Sequence, residues 1–79
     1  MARRVSASDI RVRFGFVVKT LREKLALTQE DLAEKAGIHR TYLSDIERGS
    51  RNVALMNIER LAQSLGVNLQ ELFKKVDMA

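Results

Sequence analysis

A chain of 79 residues allows one domain with a single modest core and leaves no room for a second folded unit. Hydrophobic residues make up 46% and charged residues 30%, a globular balance that excludes wholesale disorder, and the absence of cysteine excludes disulfide or thiolate-zinc staples. The net charge of +4 favours a polyanionic partner and would equally suit an anionic membrane surface.

Residues 1–8 are basic at the start and read as a flexible segment, leaving 9–79 as the folded domain. No apolar run approaches the roughly 20 residues that span a bilayer. Met1-Ala2-Arg3-Arg4 is followed by polar residues rather than a signal-peptide core, so the chain reads as cytoplasmic. With no disulfide to help so small a core, packing must hold the domain together, and self-association is a natural supplement.

Ile10, Phe14, Val17, Val18, Leu21 and Leu25 recur at spacings of three and four, which predicts a first helix with these residues on one face and Ser8 or Asp9 as its N-cap. Gly15 lies inside that pattern at a cost of about 1 kcal/mol relative to alanine, which close packing by another helix would explain. A second helix begins at Thr28, whose hydroxyl can cap it, and carries an apolar stripe of Leu32, Ala33 and Ala36. Gly37 ends it in the left-handed conformation, with Ile38 packed beneath the turn. A third helix from about His39 to Arg48 turns Leu43 and Ile46 inward and leaves Arg40, Thr41, Tyr42, Ser44, Asp45 and Arg48 mostly outward. Gly49 ends it.

After the polar loop Ser50-Arg51-Asn52, the residues Leu55, Ile58, Leu61, Ala62 and Leu65 predict a fourth amphipathic helix closed by Gly66. Asn68 and Glu71 resemble a capping box that opens a short fifth helix through Leu69, Leu72 and Phe73. The expected fold is all-α with five helices.

The informative pattern runs from Gln29 to Arg48. Ala33 lies where two helices cross, and any side chain larger than a methyl there would force them apart. Gly37 makes the tight turn between them. The apolar positions bury this pair against the first and fourth helices and leave the outer face of the third free for a DNA major groove, about 12 Å wide. Arg40, Thr41 and Ser44 lie on one side of the third helix near its N-terminal end. A guanidinium at Arg40 can bond guanine O6 and N7 together, and the threonine methyl and hydroxyl suit a thymine methyl or a phosphate. The alternative for Arg40 is a surface arginine paired with a carboxylate. Asp45 would be repelled by DNA unless it accepted a proton from cytosine N4.

Thr28-Gln29-Glu30-Asp31-Leu32-Ala33, Ala36-Gly37-Ile38, Tyr42 to Gly49, Leu65-Gly66-Val67 and Leu72-Phe73 together resemble the helix-turn-helix regulators related to the lambda and 434 repressors and Cro proteins, the XRE family. The likeness covers about Phe14 to Phe73. Within it, the run Arg40 to Asn52 in so short a chain resembles the controller proteins of restriction-modification systems. One departure stands out, because members commonly carry Pro-Ser or Pro-Thr where this chain has Val53-Ala54, so the fourth helix lacks its usual cap.

The resemblance implies a lambda-repressor-like domain and adds roles. Gln29 would bond a phosphate and buttress the reading helix, and Tyr42 and Asn52 would contact phosphates, with Arg48 and Arg51 close behind and Arg51 also able to reach a base edge. Arg22 and Glu47 match a pair that bridges the first helix to the end of the third. His39, the only histidine, is read from its place at the start of the third helix and not from the resemblance, as a cap or a phosphate-facing residue.

Leu55, Met56, Val67, Leu69, Leu72, Phe73, Val76 and Met78 exceed what one side of two short helices would bury. A two-fold dimer through Leu55, Met56, Val67, Leu69, Leu72 and Phe73 would resolve this, setting two reading helices about 34 Å apart on a pseudo-palindromic double-stranded operator. The alternative is a tail folded over the core. Catalysis has no support, since no nucleophile with a base, glycine-rich phosphate loop or cluster of metal ligands is present, and no cofactor, metal or small-molecule ligand is expected. An antitoxin, or a basic module docking on membranes, remain competing readings, the second disfavoured by the tight crossing at Ala33 and Gly37.

Overall fold

The carboxylate of Asp9 accepts a bond from the Arg11 backbone N–H at 2.9 Å and so starts the first helix, α1 (Ile10–Lys24), in a computed structural model that describes residues 9–79. Segment 1–8, expected to be flexible, lies outside the described residues. α1 buries Phe14, Gly15, Val17 and Val18. Ile10 and Leu25, which the periodicity grouped with them, are 51% and 49% exposed. They stand at the two ends of α1, beyond the stretch its neighbours cover.

α2 (Gln29–Ala36) opens on a reciprocal capping box, in which the Thr28 hydroxyl accepts from the Asp31 N–H and the Asp31 carboxylate accepts from the Thr28 N–H, each at 3.0 Å. Gly37, at φ 71°, stops the helix, and the Ile38 N–H closes onto the Ala33 carbonyl at 2.9 Å. Two residues later α3 (Arg40–Glu47) begins, burying Leu43 and Ile46. α3 is one residue shorter at each end than the sequence pattern suggests, because His39 is its N-cap and Arg48 its C-cap.

α4 (Leu55–Leu65) starts behind Ala54, which offers no side-chain cap, in line with the missing hydroxyl at that position. α5 (Leu69–Met78) is capped by Asn68, whose Oδ1 accepts from the Glu71 N–H at 2.7 Å, so only that half of the expected box forms. α1 packs on α3 and α5 while α2 packs on α3 and α4, so the two central helices of the motif are held from both sides. Every helix contributes a fully buried side chain, Val18, Leu32, Leu43, Leu61 and Leu72 among them. Arg13 of α1 donates from Nη1 to the Val76 carbonyl at 3.2 Å and ties off the end of α5.

Leu72, grouped by the sequence reading with a dimer surface, is fully buried in the chain's own core, and so is Val76. Phe73 is half-buried and stacks on Phe14 with ring centroids 6.2 Å apart, and Val67 also packs against the core. α5 runs as a full helix across α1, and its inward face is used up there. Leu55 (77% exposed), Met56 (64%) and Leu69 (38%) remain as the open apolar side chains of the group.

Candidate nucleic-acid interface

α3 sits close enough to α1 that a Cβ on Gly15 would lie 2.2 Å from the Ile46 carbonyl oxygen and 2.9 Å from that of Glu47. The backbone contact explains a glycine in mid-helix, since no other residue would let the end of α3 approach so near. Glu47, the last residue of α3, is the hub of that junction. Its carboxylate accepts from Arg22 Nε at 2.7 Å and from Arg22 Nη2 at 3.0 Å, a bidentate pair, and from Gln29 Nε2 at 2.9 Å. Arg22 Nη1 donates further to the Leu27 carbonyl at 2.8 Å, fastening the connection between α1 and α2. The hydrogen bond to Glu47 holds the Arg22 proton more tightly than an ordinary guanidinium does. With 11% and 3% of their side chains exposed, Arg22 and Glu47 form a buried strut. Gln29 is therefore a buttress in the free protein, its amide group already turned toward Glu47.

At 100° per residue, Arg40, Thr41, Ser44 and Arg48 fall within about 100° of arc on α3, opposite buried Leu43 and Ile46. Arg40 and Thr41 are exposed and bonded to no other side chain among the described residues. Ser44 is half-buried, and its hydroxyl accepts from Arg48 Nη1 at 2.9 Å. His39 is exposed and occupies the N-cap position but makes no side-chain capping bond, so the capping role considered for it does not form.

The remaining polar residues of this face are wired to one another. Asp45 pairs with Arg48 through Oδ1 and with Arg51 through Oδ2, the latter at 3.3 Å. The Arg51 guanidinium lies 5.2 Å above the Tyr42 ring centroid, a cation–π contact. The Tyr42 hydroxyl accepts from Asn57 Nδ2 of α4 at 3.2 Å. Tyr42 is thus half-buried rather than projecting freely. Both the Ser50 N–H and hydroxyl donate to the Asp45 carbonyl, at 3.0 and 3.1 Å, which folds the loop carrying Arg51 and exposed Asn52 back beside α3. Two participants escaped the sequence reading. Asp45 as a paired carboxylate was detectable from its three-residue spacing to Arg48 on one helix; Asn57 carries no such signal, because its partner is fifteen residues away.

No group of three or more metal-ligand residues occurs among the described residues, and no described helix is long and apolar enough to cross a membrane.

A short helix, a tight glycine turn and a second helix with one polar face free define a helix-turn-helix DNA-binding domain. Residues 18–72 match the family described as Helix-turn-helix, and the chain belongs to that family, in its XRE branch. It is 46% identical over 71 residues to control protein C.MunI of a Mycoplasma species, an alignment covering 89% of this chain and 96% of that protein. It is 48% identical over 66 residues to control protein C.BamHI of Bacillus amyloliquefaciens, covering 82% of each. The crystal structure of the restriction-modification controller protein C.AhdI from Aeromonas hydrophila matches with a TM-score of 0.77 at 44% identity, covering 80% of this chain and 96% of that one. The protein is a DNA-binding transcription regulator and not an enzyme.

Proposed function

We propose that this regulator acts as a homodimer on a pseudo-palindromic operator and controls restriction-modification genes. The free Arg40–Thr41 edge of α3, backed by the Glu47 strut, carries the reading, in a chain whose relatives at 46% and 48% identity are control proteins. Arg40, Thr41, Ser44 and Arg51 are assigned to base edges. Gln29, through its backbone N–H at the start of α2, Tyr42, Arg48, Asn52 and His39 are assigned to phosphates. Exposed Leu55, Met56 and Leu69, the last of which lines a shallow groove of about 490 Å³ with Glu59, Gln63 and Val67, are the surface assigned to the two-fold contact.

A gel shift with the protein's own upstream DNA against a scrambled duplex tests the reading, and equal binding to both would sink it. Arg40→Ala should lose about 1 to 3 kcal/mol of discrimination at one base position. Sedimentation equilibrium reads the dimer, with Met56→Lys expected to shift the population toward monomer. With about six phosphates neutralised per dimer, log affinity should fall against log salt with a slope near −5.

A further inference from the structure

Of the charged side chains assigned above to DNA, two are not free in the unbound protein. Arg48 and Arg51 share the carboxylate of Asp45, and Arg51 is further steadied by the Tyr42 ring at 5.2 Å. The Asp45 side chain is only 18% exposed, while those of Arg48 and Arg51 are 63% and 51% exposed. The anion is tucked in and its cations fold over it. A carboxylate flanked by two guanidiniums has the charge and acceptor geometry of a backbone phosphate.

We propose that Asp45 is a specificity-determining residue, an internal stand-in for a DNA phosphate that holds Arg48 and Arg51 away from backbone-only binding. The inference deepens the operator-binding reading and rests on the DNA face assigned there. Its logic is electrostatic. Binding to arbitrary DNA draws almost wholly on phosphate neutralisation, so a cation already neutralised from within contributes little to it. If instead the arginines leave for phosphates, Asp45 is left beside DNA with no partner, and its repulsion opposes the gain. Either course weakens contact with DNA that offers only its backbone. On the operator Arg51 can leave Asp45 for the base edge assigned to it while Arg48 stays with the carboxylate, whereas on other sequences no base edge repays that departure, so the cost falls mainly on wrong sequences.

Asp45→Asn keeps the shape and one acceptor and removes the charge. Fluorescence anisotropy on a scrambled duplex at low salt should show it binding about tenfold more tightly than the wild type. On the protein's own upstream DNA the gain should be smaller, so discrimination narrows. The salt slope on scrambled DNA should steepen by about 0.9 for each arginine released, a readout that a merely structural role for Asp45 would not move. Asp45→Glu retains the charge and should bind scrambled DNA as the wild type does. In an Arg48→Ala/Arg51→Ala background Asp45→Asn relieves only the bare repulsion of the carboxylate, so its gain on scrambled DNA should be clearly smaller than in the wild-type background and its salt slope should not steepen by the arginine count.

Unchanged scrambled binding by Asp45→Asn overturns the proposal, as does a tenfold gain that survives loss of both arginines or appears equally in Asp45→Glu. The operator-binding reading fails on a different measurement, equal binding of upstream and scrambled DNA by the wild type. The Asp45 proposal is read from the variant-to-wild-type ratios on scrambled and on upstream DNA, and an equal gain on both overturns its specificity role.

Discussion

Replacing Gly15 by alanine adds one methyl group to the middle of α1, a change that helix propensity alone would reward by about 1 kcal/mol. The surroundings reverse the sign. The new Cβ would stand 2.2 Å from the Ile46 carbonyl oxygen and 3.0 Å from the Glu47 carbonyl carbon, both backbone atoms, so no rotamer change relieves the clash. Ordinary contact begins at 3.4 Å, and the end of α3 must retreat by about 1 Å to reach it. That movement carries the Glu47 carboxylate away from Arg22, where bonds of 2.7 and 3.0 Å would stretch past hydrogen-bonding length, and it loosens the seat of Ile46. Overpacking costs about 1 to 3 kcal/mol before the strut is counted, so a net loss of about 2 to 3 kcal/mol is expected after the helix gain. For a domain of this size the midpoint should drop by about 10 to 20 °C, followed by circular dichroism at fixed protein concentration because the proposed dimerisation would also shift it. Gly37→Ala is the control, since its Cβ meets nothing within 4 Å and its penalty of about 1 kcal/mol comes from φ 71° alone. An unchanged or raised midpoint in Gly15→Ala would refute the close-packing argument.

Glu47→Ala leaves Arg22 and Gln29 facing an empty site and should cost about 3 to 5 kcal/mol in urea unfolding, with DNA binding lost in parallel. Ala54→Ser supplies the hydroxyl that α4 lacks at its N-cap and should raise stability by about 1 kcal/mol, seen as a higher melting midpoint. Asp31, through the backbone bond from Thr28 and then the side-chain bond, titrates below its ordinary value of 3.8 when folded. A carboxylate depressed in the folded state stabilises above its unfolded pKa, and the contribution fades as pH falls through and below that value. The stability gap between wild type and Asp31→Asn at neutral pH should accordingly close in acid titrations taken below about pH 4.

Helix order was legible because each boundary has a local chemical cause within a few residues. Thr28 with Asp31, the left-handed Gly37 and Gly66, and Asn68 with Glu71 act through bonds spanning three or four positions, and any reader of the chain can find them. Ile10 and Leu25 show the limit, since periodicity says which way a side chain points but not how far the covering helices extend. Leu72 shows it again: how much of α5 is consumed by α1 depends on the angle at which the two meet. Arg22 and Glu47 lie 25 residues apart and came into view through family resemblance, not through any local signal. The pairing of Arg51 with Asp45 crosses a loop whose path is set by Ser50, and a linear reading could see only a run of mixed charge.

Stability and recognition meet at the same residue in this fold. Glu47 rests its backbone on Gly15 and spends its carboxylate on Arg22 and Gln29, while Arg40 and Thr41, at the other end of α3, are unencumbered. An eight-residue helix is about 12 Å long, so under the proposed reading α3 is a lever anchored at its C-terminus with its base-reading edge at its N-terminus. A 1 Å shift of the anchor that translates α3 as a rigid body moves the reading end by about as much, and bidentate base contacts tolerate only about half that error. Variants at Gly15 and Glu47 should therefore lose operator discrimination at temperatures where circular dichroism still finds them folded. Variants that destabilise away from the anchor by a similar amount, such as Leu72→Ala in the α1–α5 interface, should keep their discrimination until they unfold.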